Sequence, residues 1–201
     1  PNESNKWQNL ESIVNSVCAQ YGYHEIRTPI FEETGLFSRS VGEETDIVSK
    51  EMYTWEDKDG KSLTLRPELT ASVARSFIQH SLSNQSPIQR LYYIGPLFRR
   101  ERPQKGRQRQ FHQFGVEAFG SEHPEQDAEI IAIAWQILSH CGLADDAKLN
   151  LNSIGSKKCR IDYRSALKDY ILPYLNDFSE TSQQRFKTNP LRILDTKSEK
   201  E

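Results

Sequence analysis

Trp7, Leu10, Val14, Val17 and Tyr21 recur at intervals of three and four, which puts them on one face of a helix over about 4–21, and Gly22 stands where a left-handed cap would close it. The run from Tyr23 to Phe31, YHEIRTPIF, reads as extended, with Pro29 placing it at a sheet edge or a strand end. GLFSRSVG, 35–42, predicts a short helical turn. Between Met52 and Leu65, β-prone MYTW and SLTL flank an Asp59-Gly60 turn, the pattern of a hairpin. Val73, Phe77, Ile78 and Leu82 predict a helix over about 69–82. Two apolar, aromatic-rich segments then run from Leu91 to Gly120, with Pro103 and Gly106 at the tip between them. Pro124, an acidic first turn, and Ile130, Ala134, Ile137, Leu138 and Cys141 on one face predict a helix ended by Gly142. AKLNLNSIG, 147–155, reads as a short strand. A helix from near Ser156 follows, with Tyr163, Leu167, Tyr170 and Tyr174 on one face and Pro173 bending or ending it. The tail beyond has lost strong periodicity. Hairpins with helices between them predict an α+β fold, an antiparallel β-sheet flanked by helices.

The hairpin at 91–120 changes this from a fold to a candidate site. Its tip carries Arg99, Arg100, Arg102, Lys105, Arg107 and Arg109, while Phe98, Phe111, Phe114, Val116 and Phe119 give the flanks something to bury. Along the second strand, Phe111, Gln113, Gly115, Glu117 and Phe119 share one face, because side chains alternate with a period of two. A carboxylate at Glu117 on the same hairpin as a cationic tip suits a small zwitterion activated by a nucleotide, with Glu117 for an ammonium and arginines for phosphates. The competing reading is a surface hairpin with scattered ion pairs.

Composition narrows the ligand. The 201 residues carry 26 Lys and Arg against 28 Asp and Glu, a formal net charge of −2, so the cationic tip is local and implies a local anionic ligand, not a DNA-coating surface. No apolar run approaches membrane-spanning length and PNESNKWQNL lacks a signal-peptide core, which predicts a cytoplasmic protein without membrane contact. Cys18, Cys141 and Cys159 are odd in number and widely spaced, predicting reduced, buried thiols; the five histidines form no metal-binding spacing, so no metal ligand is assigned.

The segment FRRERPQKGRQRQFHQFGVEAFG resembles motif 2 of class II aminoacyl-tRNA synthetases, in the wording of the histidyl-tRNA synthetase family. YGYHEIRTPIFEETGLFSRSVGEETDIVSKEMYTWEDKDGKSLTLRPELT is similar to that family's motif 1 strand and the approach to its amino-acid pocket, and LNLNSIG and TNPLRILDTK are similar to later segments. The resemblance places a motif-1-like segment at about 23–48 and a motif-2-like segment at about 91–120. Motif 3, the histidine-specific segment and the anticodon-binding domain find no match. The expectation is therefore an incomplete class II catalytic domain over 1–201, an N-terminal piece inactive alone.

The resemblance also assigns roles. Arg99 would hold the α-phosphate of ATP during attack by the histidine carboxylate. Glu101 would accept from the adenine amino group along the same strand face, and Phe111 would stack on the ring. Arg107 and Arg109 would reach pyrophosphate or the tRNA acceptor end. Glu68, Thr70, Gln113 and Glu117 would bind histidine, and Mg2+ is expected with ATP. The partners implied are histidine, ATP, tRNA(His) and a second copy of the chain, through Arg27, Thr28 and the rest of motif 1. On the residues alone, Glu68 could instead begin a helix, Glu117 could pair with a basic neighbour, and Phe111 could be core. Leu69 stands where many members carry glycine. Two other functions compete: a regulatory subunit of ATP phosphoribosyltransferase related to these synthetases, and a nucleic-acid-binding module using the basic hairpin alone.

Overall fold

The structure, a computed structural model, describes residues 3–41, 47–102, 104–153 and 155–196. It divides into two compact units, Pro1–Ala147 and Lys148–Glu201.

The first unit is organised by a long hairpin. Helix α1 (Ser4–Gln20) ends as its pattern predicts: Gly22 has φ 73° and the amide of Tyr23 donates to the Cys18 carbonyl at 2.9 Å, a left-handed reversal. The chain then forms β1 (His24–Glu25), β2 (Phe31–Glu33) and α2 (Thr34–Val41), and after a π-helical turn at Ile47–Glu51, β3 (Thr54–Glu56) and β4 (Ser62–Leu65). Helix α3 (Thr70–Gln79) leads to β5 (Gln89–Phe98) and β6 (Gln110–Phe119), and α4 (Pro124–His140) follows. Pro124 opens α4 with Glu125 and Asp127 in its first turn, favourable at the positive end of the helix dipole.

Among the described residues the strands form two three-stranded sheets, ordered β1-β5-β6 and β2-β4-β3. The pairs β5–β6, β2–β4 and β3–β4 are antiparallel as expected, whereas β1 joins β5 in parallel, His24 beside Leu91. Thr64, fully buried, ties the smaller sheet to α2, its hydroxyl 2.8 Å from that of Thr34 and 2.9 Å from that of Thr54.

The β5–β6 register runs without a bulge from Gln89 opposite Phe119 to Phe98 opposite Gln110. Opposed residues share a face, so the hairpin has two sides with different jobs. Tyr92, Ile94 and Val116 pack with Val14, Val17, Cys18, Ile133 and Ile137 of α1 and α4. Leu91, Tyr93, Leu97, Phe111 and Phe119 pack with Leu69, just before α3, and Val73 within it. Leu69 is buried in that cluster, and Phe77 stacks on Phe119 at 4.5 Å between centroids.

The second unit holds α5 (Lys157–Ile171) and α6 (Glu180–Thr188), with 3-10 turns at Leu172–Asp177 and Pro190–Ile193. Ser156 and Ser179 cap their helices, each side chain accepting an amide N–H from three residues on.

Several expectations are corrected. The described part of 147–155 is not a strand: Leu149 and Leu151 are exposed, and no strand pairs with them among the described residues. The tail expected to lack periodicity contains α6. Tyr163 and Tyr170 of α5 are exposed, and so is Tyr174 in the 3-10 turn that follows. The buried face of α4 is set by Ile133 and Ile137, with Ala134 exposed. Among the cysteines, all free, Cys18 is buried, Cys141 half-buried and Cys159 exposed. Residues 42–46 of the motif-1-like segment, Gly42 of the predicted helical turn, Pro103 at the hairpin tip and Ile154 lie outside the described residues.

Candidate active site

The face of β5–β6 that meets α3 carries the candidate chemistry. At the loop end, the Arg99 amide donates to the Arg109 carbonyl at 2.9 Å, extending the hairpin by one step beyond Phe98. The half-buried Arg99 side chain is held from two sides. Its Nε donates to the Pro67 carbonyl at 2.9 Å, and its guanidinium carbon sits 5.4 Å from the centre of the Phe111 ring. A planar cation held over an aromatic face loses rotamer freedom, so the guanidinium is pre-organised.

Residues 66–68 supply the second wall. Arg66 is 5% exposed and forms no salt bridge with a described carboxylate. Its Nε donates to the Pro96 carbonyl at 2.9 Å, and Nη1 to the Thr28 and Pro29 carbonyls at 2.8 and 3.2 Å. Gly95 makes room: a Cβ there would lie 2.6 Å from Nη2 of Arg66. Burial pushes the Arg66 guanidinium below its ordinary value, with Glu32 opposing. Backbone bonds from Arg66 N to Ile30 O at 2.9 Å and from Phe98 N to Arg66 O at 3.0 Å complete the clamp. The Pro67 carbonyl that anchors Arg99 is therefore fixed by its predecessor. A cavity of about 370 Å³ opens beside this clamp, lined by residues including Glu25, Arg27, Thr28, Arg66, Tyr93 and Gly95.

Glu68 stands two residues before α3, at the helix start the residues alone allowed. Its Oε1 and Oε2 accept from the Ala71 amide at 3.0 and 3.2 Å. Burial nevertheless pushes its carboxyl above the usual range; the amides of Ala71 and Thr70 and the Arg99 charge oppose this, and the charge of Glu117 adds to it. Glu68 thus senses both Arg99 and Glu117. Across the face, Thr70 Oγ1 donates to Glu117 Oε1 at 2.7 Å, and Tyr93 Oη lies 3.4 Å from the same oxygen. Glu117 takes no basic partner among the described residues, so the ion-pair alternative does not hold.

Arg99, Phe111, Glu68, Thr70 and Glu117 thus share one face, with Gln113 exposed between Phe111 and Glu117 in the same alternation. Others lie apart. β5 ends at Phe98, so Glu101 is not on its face as expected; it sits in the loop and binds Arg107 at 3.0 Å. Arg107 and Arg109 are exposed, and no acidic side chain pairs with Arg109 among the described residues.

Sequence reasoning missed Tyr93 and Arg66. The signal for Tyr93 was a tyrosine opposite a glycine: with Tyr93 paired to Gly115, the phenol lies across the space a side chain would fill, 2.7 Å from its Cβ position at Cε2. For Arg66 no sequence signal distinguishes a buried clamp from a surface cation.

The family described as histidyl-tRNA synthetase matches residues 1–156. A histidine–tRNA ligase of Protochlamydia amoebophila is 56% identical over 192 residues, which are 96% of this chain and 45% of that protein. One of Desulforamulus reducens is 54% identical over 200 residues, 100% of this chain and 48% of that protein. The chain thus spans about half the length of these relatives. Among solved structures, apo histidyl-tRNA synthetase of S. aureus superposes with a TM-score of 0.74 at 42% identity, covering 96% of this chain and 45% of that one. An ATP phosphoribosyltransferase regulatory subunit/histidyl-tRNA synthetase from Bacillus halodurans shares the fold at 22% identity, TM-score 0.61, over 92% of this chain and 51% of that one. With that family match over residues 1–156 and relatives of this identity along its length, the chain belongs to the histidyl-tRNA synthetase family.

Proposed function

We propose that the full-length protein activates histidine with ATP and transfers the histidyl group to tRNA(His), and that residues 1–201 are part of its class II catalytic domain. The observation that carries this reading is the anchoring of Arg99 on the Pro67 carbonyl and Phe111, on the same face as Glu68 and Glu117.

In the first step a histidine carboxylate oxygen attacks the α-phosphorus, and the bond to the bridging oxygen of pyrophosphate breaks. Charge grows on the α-phosphate oxygens, where the Arg99 guanidinium offsets it. Because the Pro67 carbonyl already holds Nε, little reorganisation is needed. Phe111 offers its ring to adenine, and Glu101 would exchange its bond with Arg107 for one with the adenine amino group. Arg107 and Arg109 would then be free for pyrophosphate or the tRNA end. Glu68, Thr70, Gln113 and Glu117 would take the ammonium and imidazole, and buried polar groups left unpaired would penalise analogues without ring nitrogens. Mg2+ would arrive with ATP and offset its polyphosphate charge; we assign it no protein ligand. We read the enzyme as a cytoplasmic homodimer joined through its motif-1-like segment. Identity of 54–56% to histidine–tRNA ligases favours this over the regulatory-subunit reading.

The test is histidine-dependent ATP–pyrophosphate exchange by the full-length protein. Arg99→Ala should lower kcat/KM by about 100-fold, on the order of 3 kcal/mol, as for loss of an oxyanion donor. An unchanged rate removes Arg99 from the reaction.

A further inference from the structure

Glu117 is reached by two hydroxyls on the same oxygen. Thr70 Oγ1 donates to Oε1 at 2.7 Å, and Tyr93 Oη stands 3.4 Å from it. Among the described residues no group donates to Oε2. A carboxylate oxygen has two lone-pair sites, so Oε1 is filled from within the protein and Oε2 is left for a ligand.

Tyr93 is suited to hold such a division. It is 4% exposed, packed with Leu69, Leu91 and Leu97, and so pays little further entropy to keep its ring in place. Burial pushes its phenol up to about 12, so it remains a neutral hydroxyl across the physiological range. Its path to Glu117 exists only because the opposed residue is Gly115, whose missing Cβ leaves the ring room to lean toward the next residue on that face. Thr70 contributes from the start of α3, so two separate elements fix one oxygen.

We propose that Tyr93 is a positioning residue for substrate recognition, which together with Thr70 saturates Glu117 Oε1 and holds Oε2 as an acceptor for an N–H donor of the amino-acid substrate. This rests on the reading of Glu117 as a histidine contact, and assigns to Tyr93 a part that reading did not contain. Thr70 then acts on Glu117 as well as on the substrate. A fixed acceptor selects ligands that present N–H there and disfavours isosteres presenting a lone pair or a methyl.

The experiment uses the full-length protein and titrates histidine calorimetrically into wild type, Tyr93→Phe, Glu117→Ala and the double variant. Tyr93→Phe keeps the ring and removes the donor. It should weaken histidine about ten-fold, the effect of one hydrogen bond to a charged group, with ATP affinity unchanged. In the Glu117→Ala background, where no acceptor remains for the Tyr93 hydroxyl, the same change should alter histidine affinity less than two-fold, which a general packing defect would not produce. Equal losses in both backgrounds, or no loss with Glu117 intact, overturn the proposal. If Tyr93→Phe does not fold, ligand-free crystals of Thr70→Val, which removes the other donor to Oε1 at an exposed site, serve instead: Glu117 should occupy more than one rotamer, and a single unchanged rotamer overturns the proposal. A ligand-free arm separates this from the functional reading: in a crystal of Tyr93→Phe, Glu117 should occupy more than one rotamer, and a single unchanged rotamer overturns the positioning role. Wild type that takes up no histidine would instead defeat the functional reading, leaving the rotamer arm to judge Tyr93.

Discussion

Replacing Arg66 by methionine keeps an unbranched apolar stem and removes the guanidinium that joins three backbone segments. Three hydrogen bonds to carbonyls disappear, those of Pro96, Thr28 and Pro29 at 2.9, 2.8 and 3.2 Å, together with a longer one to the Thr28 hydroxyl at 3.4 Å. Each bond from a charged donor is worth about 1.5–3 kcal/mol, a gross loss of roughly 5–9 kcal/mol. The variant also escapes the cost of burying a cation, several kcal/mol and visible here as the depressed Arg66 pKa. Water from the adjoining cavity recovers some of the freed carbonyls. A net loss of about 3 kcal/mol follows, and at about 2–4 °C per kcal/mol for a unit of this size the melting midpoint should fall by roughly 6–12 °C. Arg66→Lys should not restore it, since an ammonium cannot fork between carbonyls on opposite sides. The assay is thermal unfolding followed by circular dichroism. An unchanged midpoint for Arg66→Met, or full rescue by lysine, would refute the clamp.

Glu68 gives a pH-dependent prediction. Its folded pKa is raised by burial, so the native state binds that proton more tightly than the unfolded chain; stability falls as pH rises through the window above the unfolded value. Glu68→Gln should therefore gain stability relative to wild type at pH 7, and the gain should vanish by about pH 4; denaturant midpoints that diverge on acidification would contradict this. Thiol labelling of the native protein should modify exposed Cys159 first and Cys18 only on unfolding, because Cys18 is fully buried and burial pushes its thiol up to about 11. Mass spectrometry after brief alkylation reads the order, and early modification of Cys18 would show the α1–α4 core to be open.

Patterns that a segment satisfies alone were legible. Helix α1 needed only a face of Val14, Val17 and Cys18 and a glycine able to reverse at φ 73°, and its ends fall within a residue of expectation. The hairpin from Gln89 to Phe119 was legible because alternation, turn residues and flanking aromatics agree. What depended on a partner was not. Residues 147–155 alternate like a strand, yet a strand exists only where a neighbour takes its hydrogen bonds. The parallel β1–β5 pair requires two segments far apart in sequence to meet, which no local pattern encodes. In the site, alternation put Phe111, Gln113 and Glu117 on one face, but the direction of Arg99 depends on the Pro67 carbonyl, and that carbonyl on Arg66. Glu101 was misplaced because β5 stops at Phe98, where Arg100 N turns to the Glu51 carbonyl at 2.6 Å.

On the proposed function, the α3-facing side of the β5–β6 hairpin binds activated histidine. A crystal structure of the full-length protein with a non-hydrolysable histidyl-adenylate mimic tests it most directly. The phosphate surrogate should lie on Arg99, adenine against Phe111, and the histidyl nitrogens between Glu68 and Glu117. A mimic bound elsewhere, with that face unengaged, would contradict it.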